Sequence, residues 1–166
     1  MREILFKGKR KDDGEWVEGF LFDDGLVDSK RWFIGSIEVI DAKYDVDNCL
    51  DIYGHCIYEV DPETVCQYTG LKDKNGKKIW EGDIVRFEGY GYMPEVEIGE
   101  VVFSRGCFGV EYLSKLYKAL GHNDKSFHRI GKTSKWRDMG ASGIITYTYE
   151  VLGNIFDNPE LLEVTE

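Results

Sequence analysis

The sequence predicts a mainly β protein, more fully a β-rich α+β fold, in which a small N-terminal β domain precedes a β-barrel-like unit. Three observations support this prediction. Short apolar runs follow one another along the chain, turn signals rich in Asp, Asn and Gly separate them, and a strong hairpin signal, Asn75-Gly76, lies near the middle. With 166 residues, 42% of them hydrophobic, the chain is long enough for one domain or two small ones.

The N-terminal domain is predicted over residues 1–62 and consists mainly of strands. Aspartate-glycine triplets after the first and second strands provide the turns, at residues 12–14 and 23–25. A polar, acidic segment at 41–51 precedes the last strand, and a turn signal at 61–64 ends the domain. The predicted strands are 4–6, 16–22, 32–34, 37–40 and 57–60.

This domain is strongly acidic. Between Asp12 and Glu63, fifteen acidic side chains outnumber three basic ones, within a net charge of −10 for the whole chain. Such a balance argues against binding of nucleic acid or an anionic membrane over the whole surface. Residues 45–48 resemble the start of a calcium-binding loop, but the third ligand and the glycine that such a loop needs are missing. A solvated acidic surface is therefore the better interpretation.

The second domain is predicted over residues 63–166. Asn75-Gly76 is expected to form a type I′ turn, because both residues accept a positive φ, and Glu81-Gly82-Asp83 then turns the chain into a strand. Apolar residues at helical spacing predict a short helix over 113–120 that ends at Gly121. Asn158 is expected to cap a terminal helical turn. The predicted strands are 84–87, 99–103, 107–112 and 144–152.

A basic insertion is predicted over residues 121–143. From 121 to 140, five basic side chains outnumber two acidic ones, and aromatic residues lie among them. This mixture is typical of surfaces that follow a nucleic acid backbone and stack its bases, whereas the alternative is a solvated insertion. The candidate nucleic-acid-binding residues are Lys125, Arg129, Lys132, Lys135, Trp136 and Arg137.

The four cysteines, Cys49, Cys56, Cys66 and Cys107, are predicted to be free thiols, because they form no C-x-x-C pair. Three of them and His55 lie within eighteen residues, but structural zinc sites favour tighter ligand pairs. We therefore expect no metal and no cofactor. The sequence also lacks a phosphate-binding loop, a nucleophile elbow and an H-E-x-x-H motif, and we expect a protein that is not an enzyme.

The distribution of apolar residues bears on the cellular location of the protein and on its self-association. No run approaches the roughly 20 apolar residues of a spanning helix, and the N-terminus lacks an apolar signal segment, so we expect a cytoplasmic protein with no membrane contact. A domain of this size covers its aromatic residues poorly. We predict a homo-oligomer, most simply a two-fold dimer, assembled through this domain, with packing against the second domain as the alternative. The aromatics concerned are Trp16, Phe20, Phe22, Trp32 and Phe33.

Three phrases together resemble the YopX family of bacteriophage and prophage proteins: REILFKGK at 2–9, ETVCQYTGLKDKNGKKIWEGDIVRF at 63–87 and YEVLGNIFDNPELLE at 149–163. The resemblance implies a two-part, β-rich protein with an SH3-like barrel in its C-terminal part. It also implies a phage or prophage accessory role in the host bacterial cytoplasm, and it supplies no catalytic residues. The chain departs from the family at Cys66, where glycine is usual, and over 113–143, which is longer and more basic.

Three functional hypotheses follow from these observations. The first is a non-enzymatic accessory protein that acts through protein–protein contacts, with a host or phage partner whose basic surface matches the acidic N-terminal domain. The alternative is a nucleic-acid-binding module that uses the SH3-like barrel and the basic loop 125–137. An enzyme whose site is assembled only by the fold is the third possibility.

Overall fold

The computed structural model describes residues 3–27, 30–44, 50–90, 96–112, 121, 125–131, 134–138 and 141–163. Within these ranges, residues 36–44, 50–56, 89–90, 134–138 and 141–146 are described by their backbone alone. The described residues form twelve strands, and 3₁₀ helices cover Pro62–Thr64 and Pro159–Leu162. The strands are β1 (Phe6–Lys9), β2 (Trp16–Asp23), β3 (Trp32–Tyr44), β4 (Leu50–Val60), β5 (Cys66–Lys72), β6 (Lys78–Trp80), β7 (Asp83–Tyr90), β8 (Val96–Ser104), β9 (Cys107–Tyr112), β10 (Ser126–Arg129), β11 (Ser134–Asp138) and β12 (Ala141–Asn154).

The chain divides into two compact units, Met1–Tyr68 and Thr69–Glu166, and the division lies inside β5. The boundary expected from the sequence, after residue 62, falls in the 3₁₀ helix that immediately precedes β5. Both units are built from antiparallel strands. The prediction of a mainly β protein is therefore confirmed.

The N-terminal unit contains the strand order β4-β3-β2-β1-β5. Arg10, directly after β1, forms an antiparallel bridge with Val60 at the end of β4, so the first and fourth strands meet at this point. Ile34 and Val60 are fully buried and form the centre of the interior. Gly8 gives them room, because a Cβ there would lie 3.2 Å from Ile34 Cδ1.

Strands β3 and β4 are longer than predicted. Two apolar runs and an acidic connection were expected over 32–51, but the backbone continues as one strand through Gly35 to Tyr44, and β4 begins at Leu50. Gly35 is not a turn, because it pairs with both β2 and β4. The close approach of β2 and β3 at this point requires glycine at position 19, because a Cβ on Gly19 would lie 2.3 Å from the Gly35 carbonyl oxygen. Residues 45–49 lie outside the described residues.

The C-terminal unit contains a sheet with the order β10-β9-β8-β7-β12-β11. Its core consists of buried apolar residues from β6, β7, β8, β9 and β12 together with Ile130. In the described residues the ladder ends at β10 and β11, so the sheet is not closed and the coarser description, an antiparallel sheet, is the one that holds. The sheet is nevertheless curled, because His128 of β10 reaches Tyr149 of β12 with its side chain.

The turn at Asn75-Gly76 is not of type I′. Gly76 has a φ of +83°, but Asn75 is not among the described residues with positive φ. The Gly76 N–H donates to the Asp73 carbonyl, and the Asp73 N–H donates to the Lys77 carbonyl, which gives a three-residue loop that ends in a left-handed glycine. The prediction was wrong because the Asp73 carboxylate sets the local geometry: it accepts hydrogen bonds from the N–H groups of Asn75 and Lys77.

The type I′ pattern occurs instead at Arg105-Gly106, between β8 and β9. Ser104 pairs with Cys107 in the ladder, so two residues form the connection, and both have positive φ, +53° and +75°. Arg105 is the single non-glycine residue with positive φ in the described part of the chain.

The remaining predictions concern the C-terminal half. Strands β10 and β11 lie within the predicted basic insertion, whereas the predicted helix over 113–120 lies outside the described residues. The terminal helical turn is present, with Pro159 at its start. Asn158 occupies the cap position, but its side chain makes no capping hydrogen bond, because its Oδ1 lies against Gly153 of β12, where a Cβ would come within 2.4 Å of it.

Candidate functional site

The predicted nucleic-acid-binding residues belong to two strands. Lys125 and Arg129 lie at β10, whereas Lys135, Trp136 and Arg137 lie on β11, and these strands are at opposite ends of the strand order. The backbone of β11 pairs only with β12 among the described strands, and its side chains are not described. Lys132 lies outside the described residues. The described ladder therefore does not join the six predicted residues into one row.

Acidic residues lie beside the β10 group. The Lys125 ammonium is 3.8 Å from a carboxylate oxygen of Glu111 on β9. Glu111 pairs in turn with Glu100 on β8, whose pKa is raised, mainly by burial, with Lys125 opposing and Glu111 adding to the shift. Lys125 is therefore partly neutralised, and the exposed Arg129 is the stronger cation on this strand.

An exposed apolar surface lies on one face of the N-terminal unit. Ladder pairing places Phe22 opposite Phe33, and Phe20 and Ile57 opposite Gly35, so these side chains share a face. Phe20, Phe22 and Ile57 are 53%, 41% and 46% exposed. The rings of Phe22 and Phe33 stack with centroids 5.8 Å apart. We call these four residues, Phe20, Phe22, Phe33 and Ile57, the aromatic patch.

Charged pairs border the aromatic patch. At one end, Arg31 pairs with Asp24 and Lys30 with Asp23, each at 2.8 Å. Asp23, however, pairs with Trp32 in the ladder and so faces the side of the sheet opposite the patch. Hydrogen bonds from these cations are the main reason that the pKa values of both carboxyl groups are lowered, so the carboxylates remain charged at neutral pH. The Arg31 guanidinium also lies 5.5 Å from the Phe33 ring centroid. This border holds its charges in fixed positions.

A shallow cleft adjoins the aromatic patch at Ile57. It has a volume of about 300 Å³ and is lined by Lys11, Asp12, Ile57, Tyr58 and Glu59. Ile57 belongs to both the cleft and the patch, so the two are continuous. Lys11 pairs with Glu59 at 2.8 Å across the cleft wall. The cleft thus combines an aliphatic side, an aromatic ring and several charged groups, which is a composition suited to a side chain of a binding partner.

An aromatic cluster with a histidine lies in the C-terminal unit. The His128 ring stacks on Phe87 at 5.8 Å and contacts Tyr147 at 4.0 Å between centroids. Its Nε2 lies 3.1 Å from the Tyr149 hydroxyl. Burial lowers the pKa of His128 and raises that of Tyr149, so both groups are neutral at pH 7. This arrangement fills the core and joins β10 to β12.

The cysteines give no metal centre in the described residues, where no three His, Cys, Asp or Glu side chains are placed to hold an ion. Cys66 is buried and Cys107 is half-buried, and both are free thiols. Cys49 lies outside the described residues, and the side chains of His55 and Cys56 are not described. Among the described helices, none has the length and apolar character needed to cross a membrane.

Sequence reasoning named Phe20 and Phe22 among the aromatic residues that so small a domain covers poorly, and they are 53% and 41% exposed. The alternation of Phe20 and Phe22 in β2 placed both on one face, and a two-residue period was the available signal. Ile57 and Glu59 join that face only through the β3–β4 register, which the polar residues of 41–51 obscured. The partnership of His128 with Tyr149 had no sequence signal, because it spans 21 residues and two non-adjacent strands.

Comparison with known proteins gives a family match that covers residues 28–163, to the family described as "YopX protein". No curated protein matches the chain. Among solved structures, the chain is similar to the crystal structure of protein EF1440 from Enterococcus faecalis, with 26% identity and a TM-score of 0.49, over 98% of this chain and 99% of that one. The family match spans most of the sequence and contains two of the three phrases that carry the resemblance, at 63–87 and 149–163, whereas the phrase at 2–9 precedes it. This chain belongs to the YopX family.

Proposed function

We propose that this protein is a non-enzymatic phage or prophage accessory protein that acts by binding another protein through the aromatic patch. The observation that carries the proposal is the exposure of Phe20, Phe22 and Ile57 on one sheet face. Large apolar side chains that are grouped on a surface and bordered by charges are typical of protein-binding sites. The continuous cleft beside Ile57 gives such a partner a place for an anchoring side chain.

Charge complementarity favours a basic partner. The unit Met1–Tyr68 contains sixteen acidic and eight basic side chains, a balance of 8 − 16 = −8, so most of the net charge of −10 is in this unit. Complementary potentials accelerate encounter and select the partner. The occupant is therefore a protein with a basic surface and an exposed apolar anchor, rather than another strongly acidic surface.

Two finer expectations accompany this proposal. The C-terminal unit is proposed to have an SH3-like arrangement, which the curling of β10 towards β12 supports. The alternative function remains a nucleic-acid-binding module that uses this unit and the basic loop 125–137. Lys125 and Arg129 are the predicted binding residues whose side chains are described. Net negative charge requires that any such contact be local.

The test uses a matched pair of variants on nuclease-treated host lysate. Phe20→Ser with Phe22→Ser removes the patch, whereas Phe103→Ser removes an aromatic side chain of the C-terminal unit that is equally exposed, 54% against 53% for Phe20. We expect basic proteins to be captured by the wild type and by Phe103→Ser, to be lost with the double variant, and to be released by salt. Capture of the same proteins by the double variant would contradict the proposal.

Self-association is tested on the same proteins. Because a homo-oligomer is predicted, a second copy of this chain is the other partner that could bind the aromatic patch. Light scattering after size exclusion measures the mass of the wild type and of the double variant. A wild-type dimer that becomes a 19.1 kDa monomer in the double variant would assign the patch to self-assembly and overturn the proposal of a basic partner.

A further inference from the structure

The turn between β8 and β9 directs a guanidinium onto an aromatic ring. Arg105 holds a φ of +53°, a region that a residue with a long side chain rarely occupies and that asparagine or glycine occupies at lower cost. In this conformation its guanidinium carbon lies 5.6 Å from the centroid of the Phe127 ring on β10. This is a cation–π contact between a turn and the neighbouring strand.

The ring of Phe127 packs against the backbone of β9 at Gly109. A Cβ at Gly109 would be 2.2 Å from Phe127 Cζ, so only glycine leaves room for the ring at this position. Phe127 is thereby held against the sheet, and it remains partly exposed. A guanidinium that lies over a ring fixed in this way presents its own outer plane to solvent, and such planes stack on bases.

Two further cations share the face of Phe127. Lys125 and Arg129 lie two residues before and after it, so the alternation of the strand places all three on one side of the sheet. Both cations are exposed. Because Glu111 neutralises part of the charge of Lys125, Arg105 and Arg129 supply most of the positive charge.

We propose that Arg105, Lys125, Phe127 and Arg129 form a stacking platform that binds single-stranded nucleic acid. The Arg105 guanidinium, which lies over the Phe127 ring, supplies the planar surface on which an unpaired base stacks, and Lys125 and Arg129 contact the adjacent phosphates. The platform is independent of the aromatic patch, and it includes two residues, Arg105 and Phe127, that the predicted basic-loop site did not. Few cations contribute, so the affinity is expected to fall with salt by a log–log slope of only about 1 to 2.

The test is fluorescence anisotropy of a labelled oligothymidylate of roughly 15 nucleotides, measured between about 50 and about 200 mM salt. Arg105→Asn removes the guanidinium while suiting the turn better, so the fold is retained. Phe127→Leu keeps apolar bulk but removes stacking. Arg31→Gln is the matched control, because it removes a guanidinium 5.5 Å from the Phe33 ring in the other unit. We expect losses of about tenfold for the first two variants and no change for the control.

Several outcomes would overturn the proposal. They are an absence of binding by the wild type at the lower salt concentration, equal affinity of the wild type and Arg105→Asn, and equal binding of a duplex, which has no unpaired bases to stack. A fourth is displacement of the oligonucleotide by an equal charge concentration of polyglutamate, which would reassign the platform to acidic proteins. Preferential binding of the single strand that both platform variants weaken would support the proposal.

Discussion

The carboxylate of Asp73 is predicted to be a major source of stability in the C-terminal unit, and replacing it tests this directly. Asp73 is only 7% exposed. Its Oδ1 accepts hydrogen bonds from the N–H groups of Asn75 and Lys77, and its Oδ2 accepts one from Val151 on β12, at 2.8, 2.9 and 3.1 Å. The side chain thus holds the hairpin loop in shape and fastens it to the last strand.

The magnitude follows from these three bonds. Hydrogen bonds to a charged group contribute about 1.5–3 kcal/mol each, but donors that water can reach after truncation recover much of this. Asn75 and Lys77 are exposed, whereas Val151 is half-buried and would lose its partner. We therefore expect Asp73→Ala to lower the free energy of unfolding by about 3 kcal/mol. Asp73→Asn keeps one acceptor oxygen and should lower it by about 1–2 kcal/mol.

The assay is urea unfolding followed in parallel by tryptophan fluorescence and circular dichroism, because coincident transitions are needed before a free energy is assigned. Asp157→Ala is the control: this aspartate is exposed and accepts a side-chain hydrogen bond from Asn154, so the substitution should change stability by less than about 1 kcal/mol. Equal midpoints for Asp73→Ala and Asp157→Ala would refute the argument, because the three bonds would then contribute nothing measurable.

The loss of stability at low pH provides an independent test of the role of Asp73. Burial raises its pKa, but the hydrogen bonds from Val151, Lys77 and Asn75 outweigh burial, and the pKa lies below its usual value of 3.8. A carboxyl group with a lowered pKa contributes stability above the unfolded value, and this contribution is lost as the pH falls through the lowered one. Below about pH 4, the wild type should therefore lose stability more steeply than Asp73→Asn.

Four further predictions concern the 73–77 loop, His128, the cysteines and the native mass. Gly76→Val should cost about 1–3 kcal/mol from positive φ alone, since nothing lies within 4 Å of the new Cβ, while Asn75→Val should be nearly neutral; equal losses would contradict the turn described above. The lowered pKa of His128 means that stability falls as the pH drops below about 6.5, and a His128→Gln variant with the same pH dependence would exclude that residue. Unfolded protein should titrate four thiols without reductant, and stoichiometric zinc in the purified protein would contradict the metal-free prediction. The native mass should be that of a dimer that persists in the Phe20→Ser, Phe22→Ser double variant, because the aromatic patch is proposed for a different partner, and 19.1 kDa at every micromolar concentration would refute the homo-oligomer.

The strands were predictable where apolar residues alternate or run together. Segments 84–87, 99–103, 107–112 and 144–152 all lie in strands of the C-terminal sheet. Prediction failed at Asn75, because the local preference for a type I′ turn gave way to the Asp73 carboxylate, whose bond to Val151 spans 78 residues. It also failed at Gly35, which was expected to lie between two strands, whereas this residue continues β3 and pairs with both β2 and β4.

The surfaces were less predictable than the strands, because exposure depends on which strands become neighbours. Phe20 and Phe22 were expected to be poorly covered, but the sequence did not show that Ile57 of β4 would join them on the same face. Arg105 carried no signal, since a two-residue turn normally selects asparagine or glycine there, and its contact with Phe127 depends on the β9–β10 register. Basic residues that are close in sequence were separated by the strand order, as β10 and β11 show.

The contact between the 73–77 hairpin and β12 also bears on how quickly the native state is lost. Strands β7, β8, β9 and β10 pair with their neighbours in sequence, so these contacts can form early, whereas β12 must return across the unit to pair with β7. The bonds from Val151 to Asp73 and from Lys74 to the Tyr149 carbonyl can form only after that return. Contacts that are absent from the folding transition state slow unfolding and leave the folding rate unchanged. The hairpin therefore lowers the rate at which the assembled sheet unfolds, and it leaves the rate at which the sheet folds unchanged.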